Sequence, residues 1–353
     1  MNEFDYVRAC DPDEALGLAE PAPFGDGADT RFIAGGTNLL DLMKENVLRP
    51  HRLVDINGLS PWSGIEPLPG GGLRLGALAR NAHTARHPLV RERYPLLAAA
   101  ILSGASPQVR NMASNGGNLM QRTRCYYFYD SQVPCNKRVP GSGCSAIGQL
   151  ARQHAILGAS EHCIATHPSD MAVALAALEA VVHVRSTHAD RAIPLRDFHR
   201  LPGDRPQHDT TLDDDELILH IDLPPDGARF AAHSAYLKIR ERSSFAFALV
   251  SVATALDLGE GGRIRAARMA LGGVAHKPWR RPEVEDLMVG EPPARDLFEH
   301  VARRLVEGAR AQGSGPGDNG FKIPLARRAV VRALESAVHG TSPTVAAEVE
   351  DRP

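Results

Sequence analysis

Two Gly-Gly pairs constrain this chain more than any other feature. The first sits in Ala34-Gly35-Gly36-Thr37-Asn38, directly after Arg31-Phe32-Ile33 and directly before Leu39, Leu40 and Met43. Residues 31–34 read as a short buried strand, and the three later apolar residues recur at helical spacing. The glycines therefore make the turn between a strand and a helix. The second pair lies in Arg110-Asn111-Met112-Ala113-Ser114-Asn115-Gly116-Gly117-Asn118, inside a segment running from Gly104 to Leu119. A diphosphate needs several N–H donors close together, and any Cβ holds the backbone away from it. Adjacent glycines where a helix begins meet both needs, and the helix start adds a favourable dipole. One pair alone is only a tight turn. Two pairs, each beside Asn and Ser or Thr, point to a phosphate-rich cofactor without identifying it. Neither has the spaced glycines of a Rossmann dinucleotide site.

The remaining pattern is mixed. Short strands are expected at 51–56 and 73–77, and a helix at 95–102. Ser169 is placed as the N-cap of a helix over 170–178, with a strand at 180–185 behind it. Residues 201–214, rich in Pro, Asp and Thr, form the best linker. After them come strands at 216–223, 234–240 and 247–257, then amphipathic helices at 294–309 and 325–338. No internal repeat is present, and a frayed tail is expected from Gly340.

The bulk numbers exclude several function classes. With 40 Lys and Arg against 42 Asp and Glu, the chain lacks the basic excess that phosphate-backbone binding demands, so no nucleic-acid partner is expected. No apolar run approaches the roughly 20 residues that cross a bilayer, so no direct membrane insertion is expected. The polar start lacks the features of a signal peptide; the chain stays in the cytoplasm or leaves it folded with a partner.

The string Phe32 to Leu40, then Asn111 to Asn118, Pro168-Ser169-Asp170, Asp215-Glu216-Leu217-Ile218 and Tyr236-Leu237-Lys238, taken together, is specific. It resembles the FAD-binding subunits of the xanthine dehydrogenase and carbon monoxide dehydrogenase group of molybdenum hydroxylases, over nearly the whole chain. The resemblance implies an α+β fold: a vanillyl-alcohol-oxidase-type FAD domain at 1–225, in two subdomains (about 1–57 and 58–225). A CO-dehydrogenase-flavoprotein-like α+β domain at 226–338 and a tail at 339–353 follow. By the same resemblance Ile33, Ala34, Gly35, Gly36, Thr37, Asn38, Leu39 and Leu40 wrap the pyrophosphate. Ala105, Arg110, Asn111, Ser114, Gly116, Gly117 and Asn118 hold the rest of the FAD, and Asp170, Ile218 and Lys238 complete the site. On the residues alone, Lys238 is a solvated strand end and Asp170 a first-turn helix carboxylate.

Other members of that group pass quickly from the second glycine segment to Pro168-Ser169-Asp170. Here residues 119–167 intervene and carry Cys125, Cys135, Cys144 and Cys163. Four soft thiolates suit tetrahedral zinc or an iron–sulfur cluster. Zinc sites usually draw cysteines in close pairs; these are all far apart in sequence, which favours a larger four-cornered group such as [4Fe–4S]. Zinc, buried free thiols and, in an exported protein, disulfides are the alternatives. Arg124, Lys137 and Arg138 are expected to offset an anionic cluster, Gly141 and Gly143 to admit N–H groups near sulfur, and Tyr126, Tyr127 and Phe128 to shield it. His154, His162 and His167 are expected to face solvent or stand behind the ligands, and Cys10 to be a small apolar residue. The insertion resembles that of the FAD subunits of periplasmic aldehyde oxidoreductases, which carry a [4Fe–4S] cluster in this place. It also has a rival in the flavin subunits of 4-hydroxybenzoyl-CoA-reductase-like enzymes.

The resemblance implies an electron-transfer subunit of a heterotrimer, with a molybdenum-cofactor large subunit and a [2Fe–2S] small subunit as partners. Electrons reach FAD singly and leave in pairs to an external acceptor, and the chain itself needs no acid–base pair. Location follows from co-export with a signal-bearing partner to the periplasm, or is cytoplasmic. A stand-alone flavin oxidase and a redox or metal sensor on a flavin fold are the other readings.

Overall fold

The computed structural model describes residues 1–19 and 30–341. Eleven strands among them form three sheets. The first is small and parallel, in the order β1 (Asp5–Arg8), β3 (Arg52–Asp55), β2 (Thr30–Ile33). Parallel neighbours need crossovers, and the crossover from β2 to β3 contains the helix Leu39–Lys44. Ile33, Met43 and Leu53 pack together on one side of this unit and Ala9, Leu16, Val54 and Ile56 on the other.

The second sheet is antiparallel, in the order β4 (Ile65–Pro67), β5 (Leu73–Gly76), β8 (Leu217–Leu223), β6 (Val181–Arg185), β7 (Asp190–Pro194). The third, also antiparallel, is β9 (Ser234–Ile239), β10 (Val250–Leu258) and β11 (Ile264–Gly272), with β10 central. Side chains alternate along β10 between two cores. Val250, Val252 and Leu256 meet the helices Arg295–Leu305 and Lys322–Val338. Ala253 and Ala255 turn the other way, into the core shared with the helices Pro95–Ser103 and Asp170–Ala177. Those two helices lie between the second and third sheets, which is why Asp170–Ala177 is buried over its whole length. Alanine on that face of β10 lets a helix approach the sheet closely.

The glycine turn, the Ser169 cap and the C-terminal helices fall where the pattern places them; Ser169 Oγ accepts from the Ala172 N–H at 2.9 Å. Three expectations change. Residues 201–214 are no linker: Arg200 and Thr211 hydrogen-bond to Asp209 and Phe198, folding the stretch back on 198–200, and the Asp209 side chain is buried. Strand β11 carries no strand signal in sequence, and the strand expected at 247–257 begins at Val250. Cys10 is exposed, not an apolar packing residue, because it precedes the helix Pro12–Ala19 at the surface. The expected tail lies outside the described residues from 342 onward.

Candidate functional site

At the end of β2 the chain turns through Gly35 and Gly36, the latter at φ 69°. A Cβ on Gly35 would stand 1.9 Å from the carbonyl oxygen of Met112, so the first glycine segment lies directly on the second. Arg80 fixes that contact by donating to Met112 O (2.6 Å) and to Asn57 Oδ1 (2.8 Å). Asn57 in turn donates to Ala34 O (2.9 Å) and to the buried Asp55 (2.6 Å). Hydrogen bonds from Tyr6, Asn57 and Arg8 outweigh burial and hold the Asp55 carboxyl below its ordinary range. The amide N–H groups of Gly35, Gly36, Thr37, Asn38 and Leu39 have no acceptor among the described residues. Asn38 accepts the Arg122 N–H at 2.8 Å, while its own Nδ2 is buried without a partner. A cradle that excludes Cβ and holds unspent donors fits an anionic diphosphate. The side chains of Ile33, Leu39 and Leu40 belong to the adjoining apolar cluster, so these residues offer backbone only.

The second segment is held from below by a buried amide network. Asn115 Oδ1 accepts from Asn81 (3.0 Å) and Thr84 (3.1 Å), and its Nδ2 donates to Gly76 O (3.2 Å). Asn118 donates to Asn81 (2.6 Å) and accepts from Ser169 (2.6 Å) and Gln121 (2.8 Å). Ser114 accepts from the Gly117 N–H (3.2 Å), and the Gly116 N–H goes to Ala77 O (2.8 Å). Arg110 bonds the carbonyls of Leu102, Gly104 and Ala105, stapling the turn where Ala105 takes φ 52°. Asn111 is exposed. The sequence singles out Ser114, Gly116, Gly117 and Asn118. Their bracing by Asn81 and Thr84, more than 30 residues earlier, leaves no local signal.

Asp170 and Lys238 come together as a buried ion pair of 2.7 Å, and Lys238 Nζ also reaches Ser103 O (3.1 Å). Asp170 Oδ1 accepts from Tyr236 at 2.6 Å, and burial with that carboxylate raises the Tyr236 phenol well above its ordinary value. The pair abuts Gly104, where the second segment starts. Neither is the solvated or purely helical residue that a local reading gives. Ile218 sits in β8, beside the Leu219 carbonyl that accepts from Ala77.

The cysteine insertion is a built structure. Cys135 and Cys144 face one another across a β-bridge, closed by Gly141 and Gly143 at positive φ and by the Gly143 N–H to Asn136 Oδ1 (2.8 Å). Asn136 Nδ2 donates to His162 O (3.0 Å), bringing this loop to Cys163. Cys125 caps the helix Tyr126–Tyr129, its Sγ 3.1 Å from His154 Nε2. All four are free thiols. Burial pushes the Cys125 thiol up to about 12, with Cys163 and Cys135 adding to it. Cys163 rises to about 11, also chiefly by burial, with Lys137 opposing and Cys144 and Cys135 adding. The four sulfurs share one electrostatic neighbourhood, in which a bound cation would favour the thiolate form of the buried Cys125 and Cys163. No three of these sulfurs lie within 4.8 Å of one another among the described residues. Tetrahedral zinc with Zn–S about 2.3 Å requires S–S edges of about 3.8 Å.

Of the three basic residues, Lys137 opposes the rise of the Cys163 thiol, and it is itself tied to Asp209 and Pro206 O. Arg138 spends its donors on the carbonyls of Phe128, Asp130 and Val133, and Arg124 pairs with Asp41 at 3.0 Å. These two brace the loop through those contacts while keeping their positive charge beside it. Phe128 is buried, and Tyr126 and Tyr127 pack on His154. His162 is exposed, while His154 and His167 are buried behind the site. Burial and Lys322 lower His154 to about 4, leaving it neutral.

The C-terminal domain clamps the insertion. Ala151, Ile156, Leu157 and His167 donate their N–H groups to Gly317, Val274, Val274 and Ala275. The fully buried Lys322 ammonium donates to His154 O (2.7 Å) and Gly273 O (2.5 Å). A cavity of about 20 Å³, room for about one water, is lined by Cys125 and His154 together with Ser169 and Asp170. Residues of both candidate cofactor sites thus line one cavity.

The fold and the glycine cradle define a flavoprotein of two parts, the first of them an FAD-binding domain. Residues 2–226 match the family described as the FAD binding domain in molybdopterin dehydrogenase, and 235–337 match the CO dehydrogenase flavoprotein C-terminal domain. The chain belongs to the FAD-binding medium subunits of the xanthine dehydrogenase and CO dehydrogenase family, and is thus an oxidoreductase subunit of the molybdenum hydroxylases. It is 46% identical over 338 residues to the aldehyde oxidoreductase FAD-binding subunit PaoB of Escherichia coli, covering 96% of this chain and 99% of that one. The glyceraldehyde dehydrogenase medium chain of Sulfolobus acidocaldarius is 28% identical, over 94% and 95% of the two chains. The fold is shared with carbon monoxide dehydrogenase from Hydrogenophaga pseudoflava (TM-score 0.72, 24% identity, 95% and 97% covered). It is shared equally with that from Oligotropha carboxidovorans (0.73, 21%, 96% and 99%).

Proposed function

We propose that this chain carries FAD and a [4Fe–4S] cluster as the electron-transfer subunit of a heterotrimeric molybdenum-cofactor aldehyde oxidoreductase. Its partners are a molybdenum large subunit and a [2Fe–2S] small subunit, and it reaches the periplasm with a signal-bearing partner. One observation carries the reading: Cys125 and His154 line the same narrow cavity as Ser169 and Asp170, so a cluster on the insertion would neighbour the flavin. The similarity to PaoB supports an aldehyde as the substrate of the complex.

When bound, FAD accepts electrons one at a time and delivers them in pairs. The chain's residues do the rest. Residues 35–39 offer amide donors to the diphosphate, and the Asn81–Asn115–Asn118 network keeps the second glycine segment rigid under the flavin. Cys125, Cys135, Cys144 and Cys163 would ligate the cluster, with His154 placed to donate Nε2–H to the Cys125 sulfur. The C-terminal domain spends its contacts on clamping the insertion, which keeps the two sites in register.

The test is anaerobic addition of an aldehyde to the purified complex and to the isolated chain, followed at the flavin absorbance. Bleaching is expected only with the partners present, and periplasmic fractionation should recover the whole complex. Bleaching of the isolated chain by aldehyde, or no bleaching of the complex, would overturn the reading.

A further inference from the structure

A second group of candidate ligand side chains, none of them a residue of either cofactor site, stands on the partly exposed face of the five-stranded sheet. His183 of β6 and His220 of β8 are direct cross-strand partners, and their rings stack with centroids 4.4 Å apart. Asp222 lies two residues further along β8 and so projects from the same face. His183 Nε2 is 3.1 Å from Asp222 Oδ2, and His220 Nε2 is 3.9 Å from Asp222 Oδ1. The three ligand atoms all lie within 4.8 Å of one another. His220 Nε2 is buried and has no hydrogen-bond partner. A stranded buried nitrogen is costly, and here it points at a carboxylate and a second imidazole.

We propose that His183, His220 and Asp222 bind a divalent transition cation of the zinc class, with a remaining coordination position open to solvent. Zn–N and Zn–O bonds of about 2.0–2.2 Å put tetrahedral ligand atoms about 3.3–3.5 Å apart. The His183–Asp222 edge is already that short, and the His220 edge closes with less than an ångström of ring movement.

Arg74 of β5 grips Asp222 through two hydrogen bonds, of 2.9 and 2.8 Å. It fixes the carboxylate plane, as outer partners of metal ligands do. Its charge opposes a dication, which makes this a weaker site than a closed cysteine-rich one. Arg185 and Asp190, paired on the neighbouring strands, cancel one another. A bound ion would tie β6 to β8 directly and to β5 through Arg74, bracing the sheet that carries Ile218.

The test uses the full chain with its flavin, and zinc as the probe. Because the cysteines also bind zinc, the readout is the difference between wild type, His220→Ala and His183→Gln. Equilibrium dialysis should give one zinc more per chain for wild type, or at least tenfold weaker binding at this site in both variants. His183→Gln keeps a polar side chain at a part-exposed position, so it reports even if His220→Ala misfolds. Wild-type crystals soaked in zinc should show an anomalous peak between the three side chains. Equal stoichiometry and affinity in all three proteins, or a peak only at the cysteines, would overturn the proposal.

Discussion

Gly35→Ala isolates the contact on which the flavin cradle depends. The added Cβ would lie 1.9 Å from Met112 O, where no real Cβ comes nearer than 3.0 Å, so the two glycine segments must part by more than 1 Å. Overpacking of this kind costs about 1–3 kcal/mol. The shift also stretches the 2.6 Å hydrogen bond from Arg80 to that carbonyl, and a bond from a charged donor is worth about 1.5–3 kcal/mol. The sum is about 2.5–6 kcal/mol. If about 3 kcal/mol of it falls on the cofactor-binding arrangement, FAD affinity drops by roughly a hundredfold or more, at about 1.4 kcal/mol per tenfold. Flavin fluorescence quenching during titration of the apo chain measures this, with thermal melting alongside. Gly17→Ala is the control: nothing lies within 4 Å of its Cβ, and its helix should gain roughly 0.5–1 kcal/mol. A Gly35→Ala protein that binds FAD and melts like wild type would refute the contact's role.

Asp209→Asn should destabilise the chain by about 3–5 kcal/mol, because Lys137 and Arg122 are left facing a neutral group in a buried setting. Burial alone would raise the Asp209 carboxyl, yet Lys137, Arg122 and His276 outweigh it and hold it well below its ordinary 3.8. Its contribution is therefore present above about pH 4 and fades on acidification below that; chemical denaturation of both proteins between pH 3 and 6 checks the sign. Lys322 runs the other way on charge. Burial lowers its ammonium from 10.5 to about 7, so its penalty is full below pH 7 and shrinks toward pH 10. Wild type should gain stability relative to Lys322→Met between pH 7 and 9, and a pH-independent gap would contradict that. Lys238→Met should cost about 3–5 kcal/mol by leaving Asp170 charged and buried, and Asp170→Asn in the same chain should recover part of it, as a denaturation double-mutant cycle would show.

The strand–glycine–helix turn was legible because its pattern is local, with Gly36 taking its positive φ between Ile33 and Leu39, whereas the contact with Met112 O that demands Gly35 is not local. The Ser169 cap was legible for the same reason. Strand β11 was not, since Arg265, Arg268 and its alanines show no strand alternation; Arg268 is buried only because Glu179 and Asp226, distant in sequence, pair with it. Residues 201–214 look like a linker by composition, and only the fold reveals Asp209 as the anion that Arg122, Lys137 and His276 surround. The cysteines suggested a metal site by their number and setting, while the contacts of His154 and Lys322 are ones that no spacing encodes. Arg124 and Arg138, basic beside the cysteines in sequence, turn out to serve carbonyls and Asp41.

The most direct measurement is the joint content of FAD, iron and acid-labile sulfide in the anaerobically purified chain, repeated for Cys135→Ser and Cys144→Ser. A single cubane cluster beside one flavin predicts about four iron and four sulfide per FAD, with iron lost and flavin kept in both variants. A yellow protein holding zinc, or no metal at all, would contradict the pairing of flavin and cluster on this chain.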